Sequence, residues 1–427
     1  MSLDRRNFLK LSAGAAAAAC TAAGCKSNAP EPTQAAKSES PLAKLKPMTG
    51  GVVPITAEER MARLENARRL MAENKIDAIL IEGGTSMFYF TGANWGLSER
   101  TFAWVLPAKG DMAWVTPKFE EDRARELIRF GTDVRTWEED ESPYKVIAGI
   151  FKDRGIRAGK IGIEERLRFF IYDGVRKEAP AYQYVNADPV TIGCRVIKSP
   201  AELALMQLAN DITIEAYKAS VPAFKEGMTR AQFSEVASAA FRALGASGSI
   251  GASFGEATSF PHGSVKPRNL REGDVILMDG GTNIDGYRSD ISRTIVFGKP
   301  SERQLEIWNL EKEAQAAAFK AAKPGVPCED VDAAARKVIT DAGFGPDYKV
   351  PGLPHRTGHG IGLDGHEWIN LVRGNKTPMQ PGMCFTNEPM IVIPGEFGVR
   401  LEDDMYITAD GAKFFSQPSP SIDRPCM

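Results

Sequence analysis

The sequence predicts two domains: an α/β domain over residues 56–198, then an α+β domain over residues 199–427 with pseudo-twofold internal order. Three observations carry this expectation. Helical and strand patterns alternate from Thr56 to about Cys194, as in a sheet covered by helices. A capping box, Ser199-Pro200-Ala201-Glu202, then opens a new long helix running to about Val221. Beyond it, Lys225-Glu226-Gly227 and Lys323-Pro324-Gly325 each precede a helix, ending at Gly245 and Gly343, and both landmarks recur after 98 residues.

Composition narrows the classes. The chain has 427 residues, 43% hydrophobic and 25% charged, with 53 Lys+Arg against 55 Asp+Glu, so it lacks the basic footprint of a nucleic-acid binder. No apolar run reaches the ~20 residues of a bilayer span. The six cysteines form no CxxC pair, which speaks against a zinc ribbon or a thioredoxin-type motif.

In chain order, residues 1–25 come first. Asp4-Arg5-Arg6-Asn7-Phe8-Leu9-Lys10 before an alanine-rich segment is the pattern of a twin-arginine (Tat) signal, which implies the Tat export machinery as a partner and a periplasmic location. Ala22-Ala23-Gly24-Cys25 resembles a lipobox, giving a lipid anchor through Cys25; the alternative is cleavage at an Ala-x-Ala site and soluble release. Residues 26–55, rich in Pro, Ser, Ala and Lys, read as a flexible tether. Thr56-Ala57-Glu58-Glu59 then starts a helix with Met61, Leu64, Ala67 and Met71 at helical spacing. Asp77–Ile81, Phe102–Leu106 and Met112–Val115 read as strands of a mixed or parallel sheet, and Phe119–Phe130 as helix. Trp95, on a loop, reads as a packed aromatic or as a substrate or subunit contact.

The second domain holds the chemistry. Its first strand-rich segment, Asp274 to Ile295, has two apolar runs around Asn283-Ile284-Asp285-Gly286, a hairpin signal. A loop centred between Ile284 and Asp285 sets Asp279 opposite Asp290, whereas centring on Asp285-Gly286 shifts the register. Two carboxylates so close are destabilising without a counter-charge, which a divalent cation supplies. The second segment repeats the arrangement, with Glu388 and Glu402 symmetric about Gly395. Between the hairpins His359 lies in a glycine-rich run, and all four histidines of the chain, His262, His355, His359 and His366, fall inside one stretch of about a quarter of the chain, His262 preceding the first hairpin. Asp279, Asp290, His359, Glu388 and Glu402 offer four carboxylates and one imidazole, a set matched to two divalent ions; oxygen-rich ligation favours Mn²⁺ or Co²⁺, with Zn²⁺ or Fe²⁺ as alternatives.

These residues resemble the pita-bread metallopeptidase family, which includes prolidase, Xaa-Pro aminopeptidase, methionine aminopeptidase and creatinase. The pieces that carry the resemblance are Met278-Asp279-Gly280-Gly281, Ser289-Asp290-Ile291-Ser292-Arg293-Thr294, His355-Arg356-Thr357-Gly358-His359-Gly360, Thr386-Asn387-Glu388-Pro389 and Gly398-Val399-Arg400-Leu401-Glu402-Asp403, within a match from about Arg60 to Asp410. It implies a creatinase-like N-terminal domain, a pita-bread catalytic domain, a dimetal centre on the five named residues, and a homodimer or larger. It also implies hydrolysis of Xaa-Pro bonds by a metal-bridging hydroxide, with Glu388 as base, His262 and His366 at the substrate or tetrahedral intermediate, and His355 matching a histidine of proline-specific members. Met390 departs from the glycine that commonly follows Glu-Pro, and export is unlike the cytoplasmic members. Aminopeptidase and dipeptidase both remain open, as do a creatinase-like C–N hydrolase or lyase and a noncatalytic binding protein on this fold.

Overall fold

Short apolar runs in the first half pair into one six-stranded sheet in the order Asp133–Trp137, Ala113–Pro117, Ala103–Pro107, Ala78–Glu82, Lys160–Ile163, Gln183–Asn186. It is mixed: Ala78–Glu82 lies antiparallel to one neighbour and parallel to the other. Its three central strands are buried at every position, which is why they read as continuous apolar runs and not as alternation. This is a computed structural model, and it describes residues 41–266 and 268–426; the expected Tat signal, Cys25 and residues 26–40 of the tether lie outside the described residues.

The remainder of the expected tether is not free chain. Leu42, Leu45, Met48 and Val52 pack against the core, and the Met48 N–H donates to the Leu244 carbonyl at 2.9 Å. Apolar residues three or four apart anchor this segment, a pattern hidden by its polar average composition.

Helix Ala57–Asn74 starts at Thr56, whose side chain accepts from the Glu59 N–H at 3.2 Å. The reciprocal half of the capping box is missing because the Glu59 carboxylate is engaged by Arg63 at 2.8 Å and by the Ser199 hydroxyl at 2.7 Å. Met61 is 50% exposed, and Arg60 and Arg63 turn inward instead. Both arginines donate to carbonyls at the C-terminal end of helix Thr85–Thr91, where a cation complements the helix dipole. The helix expected over Phe119–Phe130 is shorter, Glu121–Leu127 after a 3₁₀ turn. Trp95 is buried and stacks on Phe102 with ring centroids 4.0 Å apart, so the packed reading holds.

Ser199 caps helix Pro200–Ser220 with both halves of its capping box formed. The internal repeat is visible in the helices. Arg230–Ala243 and Cys328–Asp341 have the same 14-residue length and the same 98-residue offset, and each packs on a longer partner, Pro200–Ser220 or Glu302–Ala321. Each helix pair leads into an antiparallel hairpin, Val275–Ile284 with Ile291–Val296 and Cys384–Ile393 with Phe397–Thr408. A single bridge between Ser292 and Glu402 joins the two hairpins across the pseudo-twofold.

Candidate metal centre

Hairpin register decides which side chains meet. In the first hairpin Asn283 pairs with Arg288 and Ile284 with Tyr287, so the turn is Asp285-Gly286, with φ of 47° and 88°. Two left-handed residues make a type I′ turn, for which Asp-Gly is a favoured pair. The register with Asp279 facing Asp290 is therefore corrected: Asp279 pairs with Ser292. Moving the turn centre by one residue shifts the pairing by two, which keeps every side chain on its face, so Asp290 still stands diagonally beside Asp279.

The second hairpin keeps the predicted register. Asn387 pairs with Asp403 and Met390 with Arg400, which leaves Glu388 opposite Glu402 where the hairpin passes from one sheet to the other. Since Ser292 bridges Glu402, one row of residues runs across both hairpins: Asp279, Ser292, Glu402, Glu388. Asp290 and His359 flank this row. His359 enters on strand Gly358–Gly360, where a Cβ at position 358 would stand 2.1 Å from the Thr386 carbonyl oxygen; only glycine permits that approach.

The structure brings all five expected ligands together. Donor atoms of Asp279, Asp290 and Glu402 lie within 4.8 Å of one another, as do those of His359, Glu388 and Glu402, so two cation positions would share Glu402. His359 Nδ1 lies 3.0 Å from the Gly360 carbonyl, the arrangement that fixes Nδ1 as donor and leaves Nε2 free to ligate; Nε2 is 3.1 Å from Glu388. His262, His355 and His366 line the same cavity of about 450 Å³ with the ligands, Arg356 and Arg400.

Side chains within and beside the motifs hold these five residues in place. Ser292 donates to Glu402 at 2.5 Å and receives Arg400 Nε at 2.9 Å, while Arg400 also reaches Asp279 at 2.5 Å. Thr386 accepts the His359 N–H at 3.0 Å and donates to Glu388 at 3.2 Å. Asp404 accepts the Asp290 N–H at 2.9 Å. Strand alternation could have found two of them, because Ser292 and Thr386 stand two residues from a ligand on the same face. Arg356 donates to His366 at 3.0 Å.

Electrostatics fit a cation site. Burial, then Asp279, Asp404 and Glu388, raises Asp290 well above the usual carboxylate range, and burial, then Asp290 and Glu388, does the same for Glu402. Burial also opposes ionisation of Glu388, but His359, Arg400 and His355 outweigh it and hold it at about 2. One fixed cation, Arg400, is too little for this cluster, and divalent ions would supply the rest. Burial lowers His355, keeping it neutral; its Nδ1 meets the Arg356 carbonyl at 2.7 Å and its buried Nε2 has no partner among the described residues.

The matches to known proteins follow the same division. Residues 204–409 match the model of metallopeptidase family M24, residues 63–197 that of the creatinase/prolidase N-terminal domain, and residues 2–22 that of the twin-arginine translocation signal. An uncharacterised peptidase of Schizosaccharomyces pombe is 38% identical over 84% of this chain and 81% of its own length. The chain belongs to metallopeptidase family M24. An Xaa-Pro dipeptidase of Pyrococcus horikoshii is 31% identical over 80% of this chain and 93% of its own. The crystal structure of dipeptidase PepE from Mycobacterium ulcerans superposes with a TM-score of 0.80 at 29% identity, covering 88% of this chain and all of that one. Membership of M24 makes the chain a metallopeptidase with a creatinase-type N-terminal domain and a pita-bread catalytic domain, the fold class expected from the sequence.

Proposed function

We propose that this metallopeptidase hydrolyses Xaa-Pro bonds with two divalent cations, most simply Mn²⁺, held by Asp279, Asp290, His359, Glu388 and Glu402. The observation that carries the reading is the unbroken row Asp279, Ser292, Glu402, Glu388, flanked by Asp290 and His359 and opening on a cavity rimmed by three further histidines. Relatives named Xaa-Pro dipeptidase support the substrate class.

When bound, the cations supply Lewis-acid polarisation of the scissile carbonyl and acidify the attacking water. Glu388 takes the water proton and passes it to the departing nitrogen. His262 and His366 donate to the oxygen on which negative charge develops. His355, neutral and with a free acceptor nitrogen, orients the substrate. Arg400 and Ser292 keep Asp279 and Glu402 aimed at the cations.

The Tat signal points to work in the periplasm after export in the folded state, with Cys25 as the point of lipid attachment. The domain boundary falls between Lys198 and Ser199, and the assembly is a homodimer or larger. The test is an assay of the mature, metal-loaded chain with Mn²⁺ on Xaa-Pro dipeptides, longer peptides beginning Xaa-Pro, and non-proline controls. Cleavage confined to proline peptides is expected. Metal binding without cleavage of any proline peptide would overturn the assignment and favour another C–N hydrolase on this fold.

A further inference from the structure

The stretch Asp364-Gly365-His366-Glu367-Trp368 carries His366 into the cavity, yet the side chains that fix it come from a distant part of the chain. Asp364 accepts from the Thr85 hydroxyl at 2.8 Å and from Arg195 at 2.7 Å, and pairs with Arg166 at 3.0 Å. Glu367 pairs with the same Arg195 nitrogen at 2.6 Å and with Lys198 at 2.8 Å, and accepts the Leu363 N–H at 3.0 Å. Trp368 donates its indole N–H to Glu165. Residues on either side of His366 are thus held by residues numbered below 199.

His366 itself has less to hold it. Its ring stacks on His359 with centroids 3.9 Å apart and bonds Arg356. Just beyond, Ile369 sits at φ 82°, a backbone that a β-branched residue keeps only where its surroundings over-determine it. The latch supplies such surroundings: the Arg195, Lys198 and Glu367 side chains are 11%, 3% and 7% exposed. A buried ionic cluster of this kind stabilises little relative to apolar packing, and its best-attested use is to fix one geometry among alternatives.

We propose that this latch is a positioning device: the N-terminal domain, through Arg195, Arg166 and Glu165, with Lys198 at its edge, sets where His366 stands over the metal centre. The proposal rests on the reading above in which His366 meets the developing oxyanion. The latch residues touch neither substrate nor metal and act through His366 alone, so their effect vanishes once that histidine is removed.

The test is a double-mutant cycle on the mature, metal-loaded enzyme, reading kcat and KM on an Xaa-Pro dipeptide, together with bound metal by elemental analysis. His366→Ala is expected to lower kcat about 10²-fold, and Arg195→Met about tenfold through misplacement, with KM and bound metal little changed. The double variant should be no slower than His366→Ala alone. Arg166→Met, whose side chain is 50% exposed, tests the same coupling at smaller amplitude without burying an unpaired charge, and decides the matter if Arg195→Met fails to fold. A His366-dependent kcat untouched by either arginine substitution, or losses that multiply in the double variant, would overturn the latch. Full activity in His366→Ala would overturn both the latch and the oxyanion role beneath it.

Discussion

Ser292 lies between Asp279 and Glu402 in the row of paired residues, donating to one ligand's carboxylate while sharing Arg400 with the other. Replacing it with alanine removes a donor to a buried acceptor without touching any ligand. Ser292→Ala should keep the fold and lose roughly 10- to 100-fold in metal affinity, measured by calorimetric titration of the apo chain; unchanged affinity would show that Arg400 alone orients Glu402. At this scale the four carboxylates of the proposed site were legible because acidic residues within apolar strands are hard to explain otherwise, and His359 because it stands in a glycine-rich run between the hairpins. Ser292, Thr386, Asp404 and Arg356 were not, because serine, threonine or a surface-type charge near a strand is ordinary until a hydrogen-bond partner is seen.

Elements determine which of these residues can meet. The second hairpin was legible to its register because Gly395 sits at a clear centre, and Glu388 stands opposite Glu402 accordingly. The first hairpin offered two centres one residue apart, and the left-handed Asp285 and Gly286 selected the second. Gly286→Ala places a side chain at φ 88°, with its Cβ 3.0 Å from Leu363 and 3.1 Å from Phe88. It should cost about 1–2 kcal/mol of stability in denaturant titration. A loss below about 0.5 kcal/mol would mean the turn tolerates another conformation, and the diagonal pairing of Asp279 with Asp290 would lose its physical basis. The long helix after Ser199, the 98-residue repeat and the strand-helix alternation were readable, since each rests on local periodicity, whereas the helix expected over Phe119–Phe130 spans only Glu121–Leu127. The packed segment from Leu42 to Val52 and the inward Arg60 and Arg63 were not, because both depend on partners far along the chain.

For the whole molecule, residues 41–427 form one unit in which the N-terminal sheet domain and the catalytic domain share buried ion pairs. Glu367 belongs to this seam. Burial opposes its ionisation, but Lys198 and Arg195 outweigh that and hold it at about 2, below its ordinary 4.5. A carboxylate depressed by folding contributes stability above its unfolded pKa and loses it as the pH falls through the folded one. Glu367→Gln should therefore destabilise the protein at neutral pH by about 3–5 kcal/mol, leaving two cations short of a partner. The gap to the wild type should close as the pH falls from about 4.5 towards 2, seen in paired urea titrations. A gap independent of pH would assign the loss to packing instead. The sequence does not show this seam, because Arg195 and Lys198 lie 172 and 169 residues before Glu367 and each alone looks like an ordinary surface charge.

In the reading proposed above, two carboxylate pairs and one histidine make a dinuclear cation site serving peptide hydrolysis. Elemental analysis of bound metal, run beside the Xaa-Pro assay on the same Mn²⁺-loaded preparations of the wild type and Glu388→Ala, tests it most directly. About two equivalents per wild-type chain with turnover are expected, and in Glu388→Ala fewer equivalents with turnover abolished. A wild-type chain that binds no divalent metal, or a Glu388→Ala variant that keeps both its metal and full activity, would contradict it.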